Sequence, residues 1–529
     1  MRRFLFIVVL SAITGVLFAA DWPSQSGNPQ RDGWAQGENQ IVKSAIPQIR
    51  LLYKRKLDNR PRGLNSLTSP LILGNLITYR GFKEMLFVGG SSDMVYSIDA
   101  ALNVLLWKTH FQYQGDQPQA KPTAGCPGGL TAAVAIVGGS GPMRRSFSFH
   151  RRREPTPRRG NTLFASGFGS NGYVFAIGSD GYLRFVRQSD GNDEAIAPIK
   201  FLPANANVSS VNVNRTTVYA ATVDGCGGSP NALYGIDLGS DDKKVASFPT
   251  NGSGFSGIGG TAIGANGTVY AQVENGHGDV AGDYNNTVLA LNPETLKVED
   301  YFTPSDGGAA VKKSIGYAGI TPAVFTWKNK ELVIAGGADG TIYLLDSTSL
   351  GGAGHHTPLA HTEPLLKSNT GGLTGNFATW EDEATNTRWI YAAVSGPVSG
   401  KFSESGGAAK EGSIVAFKVA EQDGKFSLDP QWISRNLTGP ASPITTNGLV
   451  VALSSGVSNP ARNKSNGRAT MYILDGSTGK ELFSTGNDTS SFSYNSGLAL
   501  ANGRIYFTTH DSTVYCYGLP AMQPQLTEH

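Results

Sequence analysis

The stretch MYILDGSTGKELF (471–483) runs from one apolar strand-like segment, through an Asp-Gly turn, into a second such segment. Its first five residues are one of eight related cores, mostly apolar and aromatic, four of which end in Asp. The eight cores are VYSID (95–99), VFAIG (174–178), LYGID (233–237), VLALN (288–292), IYLLD (342–346), IVAFK (414–418), MYILD (471–475) and VYCYG (514–518). The second residues of successive cores lie 79, 59, 55, 54, 72, 57 and 43 residues apart. A recurring unit of this length, rich in β-branched and aromatic residues, predicts a propeller or a solenoid.

Two more strand-like segments precede each core, and a fourth follows most of them. The segments directly upstream include LFVGG (86–90), VYAAT (218–222), VYAQV (269–273) and IYAAV (390–394), and before those come small-residue segments such as GGTAIGANG (259–267) and GPASPITTNG (439–448). Short apolar runs separated by Asn-Gly, Asp-Gly and Gly-Gly predict antiparallel strands joined by tight turns. Four strands per unit, with small residues in the innermost one, are typical of a propeller blade. The alternative is an open stack of hairpins.

The two ends of the chain predict how the ring closes. The eighth unit stops soon after VYCYGLP (514–520), which leaves no residues for its fourth strand. The segment IPQIRLLYKRKL (46–57) resembles a fourth strand without a blade of its own, and it would cover an open sheet edge. The predicted fold is therefore an all-β, eight-bladed β-propeller with four-stranded antiparallel blades, in which an N-terminal strand closes the ring.

Residues 21–520 are predicted to form this single domain, followed by a tail at 521–529. The first 20 residues carry Arg2 and Arg3, an apolar run from 4 to 18, and small residues before a polar start at Asp21. This order predicts a signal peptide cleaved near Ala20, and hence an exported protein that is periplasmic or extracellular. The alternative, a membrane anchor, would require a longer apolar run, so no stable membrane insertion is expected.

A basic stretch interrupts the second unit. The sequence MRRSFSFHRRREPTPRR (143–159) carries seven arginines and one glutamate, within a chain whose formal charge is +3. It is predicted to be an insertion loop, which is either a passive insertion or a loop that binds polyanions. Without it the formal charge would be −3, so the overall charge does not imply a nucleic-acid partner.

Cysteine and histidine positions leave two alternatives open. Cys126 and Cys226 lie in Gly-rich loops of neighbouring units, where they either pair in an oxidising compartment or remain free. Cys516 alternates within a strand and is expected to be a buried apolar residue. The three histidines of the loop GGAGHHTPLAHTEP are either metal ligands or part of a solvated loop, and no metal site is predicted from their spacing: His355, His356 and His361.

The units resemble the repeats of the quinoprotein-like, or pyrroloquinoline quinone (PQQ) repeat, eight-bladed propellers. The resemblance rests on DWPSQSGNPQRDGW (21–34), VYSIDAALNVLLWK (95–108) and MYILDGSTGKELF (471–483), and it extends over residues 21 to about 518. Members of this family include PQQ-dependent dehydrogenases and non-catalytic assembly or scaffold propellers. The resemblance therefore implies the fold, whereas the function has to be argued from the site.

The resemblance also says what an enzyme of this family would need. In those enzymes the quinone lies between a tryptophan and a ring formed by two adjacent cysteines, beside a Ca²⁺ ion with oxygen ligands and an aspartate base. This chain has no adjacent cysteines. Trp107 stands at the family's docking-tryptophan position, and the corresponding fourth strands elsewhere are expected to offer phenylalanines: Phe185, Phe248, Phe302 and Phe483. The first hypothesis is therefore a non-catalytic module that binds a small polar ligand or a protein partner; the alternative is a PQQ- and Ca²⁺-dependent dehydrogenase of alcohols or sugars.

Candidate ligand-binding residues lie in the loops that lead into the innermost strands. These loops converge on one mouth of a propeller's central funnel, and their amides, aromatic rings and cations suit a polar or planar ligand. The candidates are Arg62, Asn65, Asn207, Phe255, Lys313, Tyr317, Asn369 and Tyr494. The alternative is that the Gly and Asn residues of these loops only provide turn geometry. No catalytic residue is identified, and the recurring core aspartates are expected to close turns: Asp99, Asp237, Asp346 and Asp475.

Overall fold

The computed structural model describes residues 20–78, 81–114, 119–123, 125–137, 172–250, 253–274, 284–304, 319–337, 339–366, 371–457 and 467–520. Three predicted segments lie outside these ranges: the signal peptide, the basic insertion at 143–159 and the tail at 521–529. Three predicted site residues also lie outside them: Lys313, Tyr317 and Asn369. Among the described residues, no helix has the length and apolar character needed to span a bilayer.

Within the described ranges the strands pair into eight sheets. Sheet 1 contains β2 (Leu71–Thr78), β3 (Gly81–Gly90), β4 (Met94–Asp99) and β5 (Val104–His110); sheet 2 contains β6 (Ala135–Ile136), β7 (Tyr173–Ile177), β8 (Tyr182–Arg187) and β9 (Ile199–Lys200). Sheet 3 contains β10 (Asn207–Val208), β11 (Asn212–Asn214), β12 (Thr217–Val223), β13 (Ala232–Asp237) and β14 (Val245–Pro249); sheet 4 contains β15 (Thr261–Ile263), β16 (Val269–Gln272), β17 (Val288–Leu291) and β18 (Val298–Phe302).

The second half of the chain repeats the arrangement. Sheet 5 contains β20 (Ala323–Trp327), β21 (Lys330–Gly336), β22 (Ile342–Asp346) and β23 (Ala360–His361); sheet 6 contains β24 (Gly372–Asp382), β25 (Thr387–Ser395), β27 (Gly412–Gln422) and β28 (Lys425–Ile433). The short β19 (Ile320–Thr321), which leads into β20 at the inner edge of sheet 5, also pairs in parallel with β24 of sheet 6, and β26 (Ser403–Glu404) pairs in parallel with β28. Sheet 7 contains β29 (Ile444–Thr446), β30 (Leu449–Ser454), β31 (Thr470–Asp475) and β32 (Glu481–Ser484); sheet 8 contains β33 (Ala499–Ala501), β34 (Arg504–Thr509), β35 (Thr513–Gly518) and β1 (Arg50–Lys56). Three 3-10 turns complete the regular structure: Lys43–Gln48, Cys226–Gly228 and Gly352–Gly354. The fold is an all-β propeller with four-stranded antiparallel blades.

The N-terminal strand completes the last sheet, as predicted. Strand β1 pairs antiparallel with β35, from Arg50 opposite Gly518 to Lys56 opposite Thr513. The predicted strand, 46–57, began too early. The 3-10 turn Lys43–Gln48 contains Pro47 and occupies the beginning of that segment, and proline cannot donate a ladder hydrogen bond.

Seven of the eight quoted cores lie in the third strand of their sheets. The exception is VFAIG (174–178), because Tyr173–Ile177 is the second strand of sheet 2 and YLRFVR (Tyr182–Arg187) is the third. The two strands form one hairpin, and both are rich in apolar and aromatic residues, so the sequence pattern did not distinguish them. Phe185 accordingly lies in a third strand, and its prediction as a fourth-strand residue was wrong.

Hydrophobic clusters join each sheet to the next. Sheets 1 and 2 share one cluster, and further clusters join sheets 2 and 3, 3 and 4, 4 and 5, 5 and 6, and 6 and 7. The largest cluster contains side chains of sheets 7, 8 and 1 together, including Met471, Phe507 and Ile98. The apolar core is therefore a series of layers between sheets that returns to its starting point.

Polar contacts between neighbouring sheets also recur. A tyrosine of the second strand donates to a backbone carbonyl in the last turn of the next sheet: Tyr219 to Pro293 at 2.7 Å, Tyr270 to Ser347 at 3.5 Å, and Tyr391 to Gly476 at 3.0 Å. The core aspartates cap those turns as predicted, since each Oδ1 accepts backbone N–H groups two or three residues later: Asp99 from Leu102, Asp237 from Gly239, Asp346 from Thr348, and Asp475 from Ser477. These aspartates are therefore structural residues.

Two fourth strands each carry a tryptophan that packs on the backbone of the next sheet. The indole N–H of Trp107 donates to the Gln188 carbonyl at 2.9 Å, and a Cβ on Gly191 would lie 2.7 Å from its ring. Trp432, which the sequence analysis did not assign, makes the equivalent contact: its N–H donates to the Gly476 carbonyl at 2.9 Å beside Gly479. Glycine is required at both partner positions because the ring lies directly on the backbone.

Candidate functional site

The chain enters every inner strand at the same end of the sheets, which we call the mouth. The opposite end, where the inner strands finish, is called the floor. Arg62 and Asn65 form a tight turn at the mouth, with backbone hydrogen bonds of 2.9 and 3.0 Å between them. Arg62 packs beside Gly129, where a Cβ would lie 3.1 Å from Arg62 Cδ and only 1.8 Å from the Ser91 carbonyl oxygen. Only glycine fits this position, so its identity determines how closely Arg62 approaches sheet 2.

A buried carboxylate lies next to this turn. Asp93 accepts hydrogen bonds from the Ser179 backbone N–H at 2.8 Å, from the Ser179 hydroxyl at 2.6 Å and from Gln119 Nε2 at 3.0 Å. Burial raises the pKa of the Asp93 carboxyl, while the Ser179 hydrogen bonds and the charge of Arg62 act in the opposite direction. Asp93 was not among the predicted site residues. The signal for it was the aspartate in the turn between the second and third strands, at SSDMV (91–95) and again at GSDGY (178–182).

A second side of the mouth is formed by the loop that leads into sheet 8. Asn495 Nδ2 donates to Asn65 Oδ1 at 3.4 Å, and Tyr494 packs against a small cluster formed by Leu64, Val457 and Phe492. Burial, together with the negative charge of Asp224 in the turn after β12 of sheet 3, raises the pKa of the Tyr494 hydroxyl to about 12.

Asn207 lies at the start of the inner strand of sheet 3. Its Nδ2 donates to Asp224 Oδ2 at 2.8 Å, and this pair is exposed. The structure thus places Arg62, Asn65 and Tyr494 in contacting mouth loops of sheets 1 and 8, and the Asn207–Asp224 pair at the mouth end of sheet 3. Phe255 does not join them. It is only 2 % exposed and packs in the core between sheets 3 and 4, so its prediction as a mouth residue was wrong.

A disulfide at the mouth joins the neighbouring sheets 2 and 3. Cys126, in the loop that leads into sheet 2, is bonded to Cys226, in the turn between β12 and β13 of sheet 3, with their Cα atoms 5.5 Å apart. This is the paired alternative of the two that the sequence left open. Cys516 is buried and free, and burial raises the pKa of its thiol to about 12, which makes it unreactive.

The floor is closed by the N-terminal segment (residues 20–41). It contacts the inner edge of every sheet in turn. The contacts that join it to sheets 1 to 8 are Trp22–Ile72, Pro23–Ile136, Pro29–Asn212, Pro29–Ile263, Gln30–Val324, Asp32–Thr379, Gly33–Thr445 and Glu38–Gly503, with hydrogen bonds of 2.7 to 3.0 Å. A segment that bonds to all sheets lies on their common axis. Within the described residues, the N-terminal segment therefore blocks the funnel at the floor.

Arg388 of sheet 6 anchors this segment. It is 2 % exposed, donates to Thr379 Oγ1 at 2.7 Å, and lies over the Trp34 ring at 5.2 Å. Burial lowers the pKa of Arg388 to about 10, and the charge of Asp32 raises it in part. Conversely, burial raises the pKa of Asp32 to about 6, although the Trp34 N–H, the Arg388 charge and Asn28 lower it. The segment is held by buried polar groups as well as by its backbone.

Hydroxyl groups at the start of the inner strands hold neighbouring sheets together. Each accepts a backbone N–H from the preceding sheet: Ser69 from Gly497 at 2.5 Å, Thr321 from Gly259 at 3.0 Å, and Ser442 from Asn376 at 3.0 Å. These side chains line the throat of the funnel, but their bonds are used within the fold.

A site for PQQ with Ca²⁺ would require metal ligands and, as the resemblance implies, a ring of adjacent cysteines. Calcium takes about six to eight oxygen ligands, with carboxylates among them. No group of three or more His, Cys, Asp or Glu side chains within the described ranges is placed to hold a metal ion. The mouth disulfide joins cysteines 100 residues apart, so it does not form a ring of adjacent residues. Within the described ranges the structure therefore shows neither a cluster of these metal-binding side chains nor a ring of adjacent cysteines.

The histidine loop does not converge on one point. His355 stacks on Tyr301 at 4.0 Å between ring centroids, and its Nδ1 lies 3.0 Å from Asp300. His356 Nδ1 contacts the Thr303 carbonyl at 2.7 Å, while His361 pairs with Tyr343 in the sheet. Each ring therefore has its own partner within sheets 4 and 5.

A separate cleft of about 340 Å³ lies between sheets 6 and 7. Its lining is polar and includes Glu411, Thr438, Arg468 and Tyr472. The Thr438 hydroxyl donates to Glu411, and Asn436 accepts the backbone N–H groups of Lys410 and Glu411, so much of its polarity is used locally. We place the candidate site at the axial mouth.

Comparisons with known proteins support the fold. No protein-family model matches the chain, and no curated protein matches it. Among solved structures, the quinohemoprotein alcohol dehydrogenase ADHIIG of Pseudomonas putida HK5 is 12% identical, with 96% of this chain and 82% of that chain covered and a TM-score of 0.56. The quinohemoprotein alcohol dehydrogenase of Comamonas testosteroni gives the same figures. A europium-containing methanol dehydrogenase is 12% identical, with 94% of this chain and 98% of that chain covered and a TM-score of 0.56. The chain therefore has the quinoprotein-like propeller fold, as its repeats indicated.

Proposed function

We propose that this chain is an exported, eight-bladed propeller that binds a small polar ligand at the mouth of its axial funnel without catalysing a reaction on it. One observation carries the proposal: the funnel is blocked at its floor by the N-terminal segment, whereas its mouth collects polar side chains from several sheets. A pocket closed at one end and lined by a few convergent polar groups is the usual form of a ligand site.

The ring of eight blades is supported by the eight sheets and by the clusters between them. The cluster that unites sheets 7, 8 and 1 supports closure, and so does the pairing of β1 with β35. Export is supported by the Cys126–Cys226 disulfide, because disulfides persist in oxidising compartments. Closure by an N-terminal strand also protects the edge of the last sheet from unwanted pairing.

The chemistry of the mouth indicates the kind of ligand. Arg62 supplies a cation, Asn65 and Asn207 supply amides, and Tyr494 supplies a ring with a hydroxyl that stays protonated. The Asn207–Asp224 pair is exposed and can exchange its internal bond for one to a ligand. A ligand with both an anionic group and hydrogen-bond donors would use all of these groups.

Native mass spectrometry of the exported protein tests this proposal. We expect a bound molecule of low mass on the wild-type protein and its loss from Arg62→Ala and Asn207→Ala. Lys108→Ala, which removes an exposed cation that pairs with Asp58 outside the mouth, is the control and should keep the adduct. No adduct on the wild type, or an equal adduct on all variants, would contradict a mouth site.

The second candidate is a PQQ- and Ca²⁺-dependent dehydrogenase of alcohols or sugars. The comparisons favour it, because the structures of similar fold are quinohemoprotein alcohol dehydrogenases and a methanol dehydrogenase. The donor groups of the described residues favour the binding module instead. Incubation with PQQ and CaCl₂, followed by gel filtration and an assay of dye reduction with alcohols and sugars, separates the two. A retained quinone absorption band with dye reduction would replace the binding proposal; no retained quinone would remove the dehydrogenase.

A further inference from the structure

A buried cation lies on the axis below the funnel. Arg31, in the N-terminal segment, is 0 % exposed. Its guanidinium donates to three backbone carbonyls: those of Gln25 at 2.5 Å, Thr261 at 3.1 Å and Val211 at 3.1 Å. Among the described residues, no carboxylate lies within ion-pair distance of it. Burial lowers the pKa of Arg31 to about 9, so the group still carries its charge at neutral pH.

Four buried polar atoms without a hydrogen-bond partner belong to residues next to the groups that contact this cation. They are Ser24 Oγ, Ser26 Oγ, Thr261 Oγ1 and Asn376 Nδ2, and all four residues are at most 3 % exposed. Buried polar groups in folded proteins are nearly always paired. Four unpaired atoms in one region therefore indicate that something else occupies the space between them.

Hydrogen bonds and neighbouring residues link these four atoms to Arg31. Ser24 and Ser26 flank Gln25, whose carbonyl accepts from Arg31. Thr261 supplies a second carbonyl to Arg31 and has its own hydroxyl free. Asn376 Nδ2 comes within 2.3 Å of the position of a Cβ on Gly259, two residues before Thr261. The N-terminal turn and the inner strands of sheets 4 and 6 thus meet at one axial point.

The guanidinium of Arg31 and the four unpartnered polar atoms have the hydrogen-bond donors that an anion requires. A guanidinium has five N–H groups, and the three bonds to carbonyls leave two of them for another acceptor. Hydroxyls can donate, and the amide nitrogen of Asn376 can only donate. A buried cation is costly unless it is paired, and carbonyl dipoles do not neutralise it.

We propose that a small monoanion, the size of a halide or a carboxylate group, binds on the axis beneath the funnel, held by Arg31, Thr261 and the serines of the N-terminal turn. The anion links the N-terminal segment to sheets 3, 4 and 6, and it stabilises the closed floor. It is a site separate from the mouth, so a ligand at Arg62 is not needed for it.

Thermal unfolding of the full-length exported protein in sodium bromide, with sodium methanesulfonate used to hold the ionic strength constant, tests the site. We expect bromide to raise the Tm of the wild-type protein saturably. Thr261→Val and Ser26→Ala should each weaken the apparent bromide affinity roughly 10-fold, since each removes one hydrogen bond to a charged ligand. Arg31→Met should abolish the response, and the first two variants keep the test valid if that protein does not fold.

Thr446→Val is the matched control. Thr446 is also a buried threonine of an inner strand, but its hydroxyl donates to the Ala35 carbonyl at 3.2 Å. This variant should have a lower Tm and an unchanged bromide response. A wild-type Tm that is the same in bromide and in methanesulfonate would mean that only water fills the site, and it would overturn the proposal. An equal bromide response in all variants would also overturn it, because a general salt effect would then explain the shift.

Discussion

The hydroxyl of Thr321 accepts a hydrogen bond from the backbone N–H of Gly259 at 3.0 Å, which joins the inner edges of sheets 4 and 5. The same relationship links Ser442 to Asn376 and Ser69 to Gly497. In all three cases a proline follows the Ser or Thr, in the sequences SP (69–70), TP (321–322) and SP (442–443). The hydroxyl thus supplies a bond between sheets at a point where the next residue has no N–H of its own.

Removing this hydroxyl should therefore weaken the ring. In Thr321→Val the shape is retained, but the Gly259 N–H is left buried without an acceptor, at a cost of about 1–3 kcal/mol in the free energy of unfolding. Thr326→Val, at an exposed position on β20 of the same sheet, is the control and should change that free energy by less than about 0.5 kcal/mol. Urea unfolding followed by tryptophan fluorescence measures both. Equal effects of the two substitutions would show that the Thr321 bond contributes little.

The regular part of this fold could be predicted from the sequence. The eight cores, the turn-capping aspartates and the N-terminal strand that completes sheet 8 follow from local patterns and from a missing strand at the C-terminus. The pattern failed at VFAIG (174–178), where two strands of one hairpin have similar composition. It also missed Trp432, whose docking role depends on Gly479 of the next sheet and not on any neighbour in sequence.

The site was less predictable because its contacts are long-range and do not repeat. Arg62, Asn65, Asn207 and Tyr494 could be proposed as ligand-binding residues because they lie in loops that lead into inner strands, and their role stays a prediction. Asp93 was missed because it lies in a turn between other strands, and the blocked floor was missed because residues 20–41 carry no repeat. Phe255 shows the opposite error, since an aromatic residue in a mouth loop was drawn into the core between two sheets.

Reduction of the mouth disulfide should destabilise the protein. The bond closes a loop of about 100 residues, so the chain-entropy model gives a loss of about 4.7 kcal/mol, and measured losses are commonly about 2–5 kcal/mol. We expect Cys126→Ser/Cys226→Ser to lower the urea midpoint of the wild-type protein accordingly. Dithiothreitol should lower the wild-type midpoint to that of the double variant and leave the variant unchanged. A wild-type midpoint that does not respond to full reduction, verified by thiol counting, would contradict this expectation.

The glycine beside Arg62 should be intolerant of any side chain. Gly129 has a φ of +75°, and an added Cβ would lie 1.8 Å from the Ser91 carbonyl oxygen, which is backbone and cannot move aside freely. We expect Gly129→Ala to cost more than about 1 kcal/mol, from strain and from displacement of the loop that carries Arg62. Gly125→Ala in the same loop is the control, since nothing lies within 4 Å of its added Cβ. If both variants unfold at the wild-type temperature, the close packing of this loop on sheet 1 is wrong.

Ionisation of Asp32 should make the floor sensitive to pH. Burial raises the pKa of this carboxyl to about 6 in the folded protein, compared with 3.8 when it is solvated. Because the folded pKa is the higher one, the contribution of Asp32 to stability is complete below about pH 3.8 and is lost as the pH rises through about 6. The full difference is about 3 kcal/mol.

Asp32→Asn removes this titration but keeps a polar group near Arg388, so the variant should gain stability relative to the wild type between pH 4 and pH 7. The measurement is the free energy of urea unfolding of both proteins at several pH values in that interval. Two parallel stability curves would show that Asp32 has the same pKa folded and unfolded, and that the charge of Arg388 fully offsets its burial.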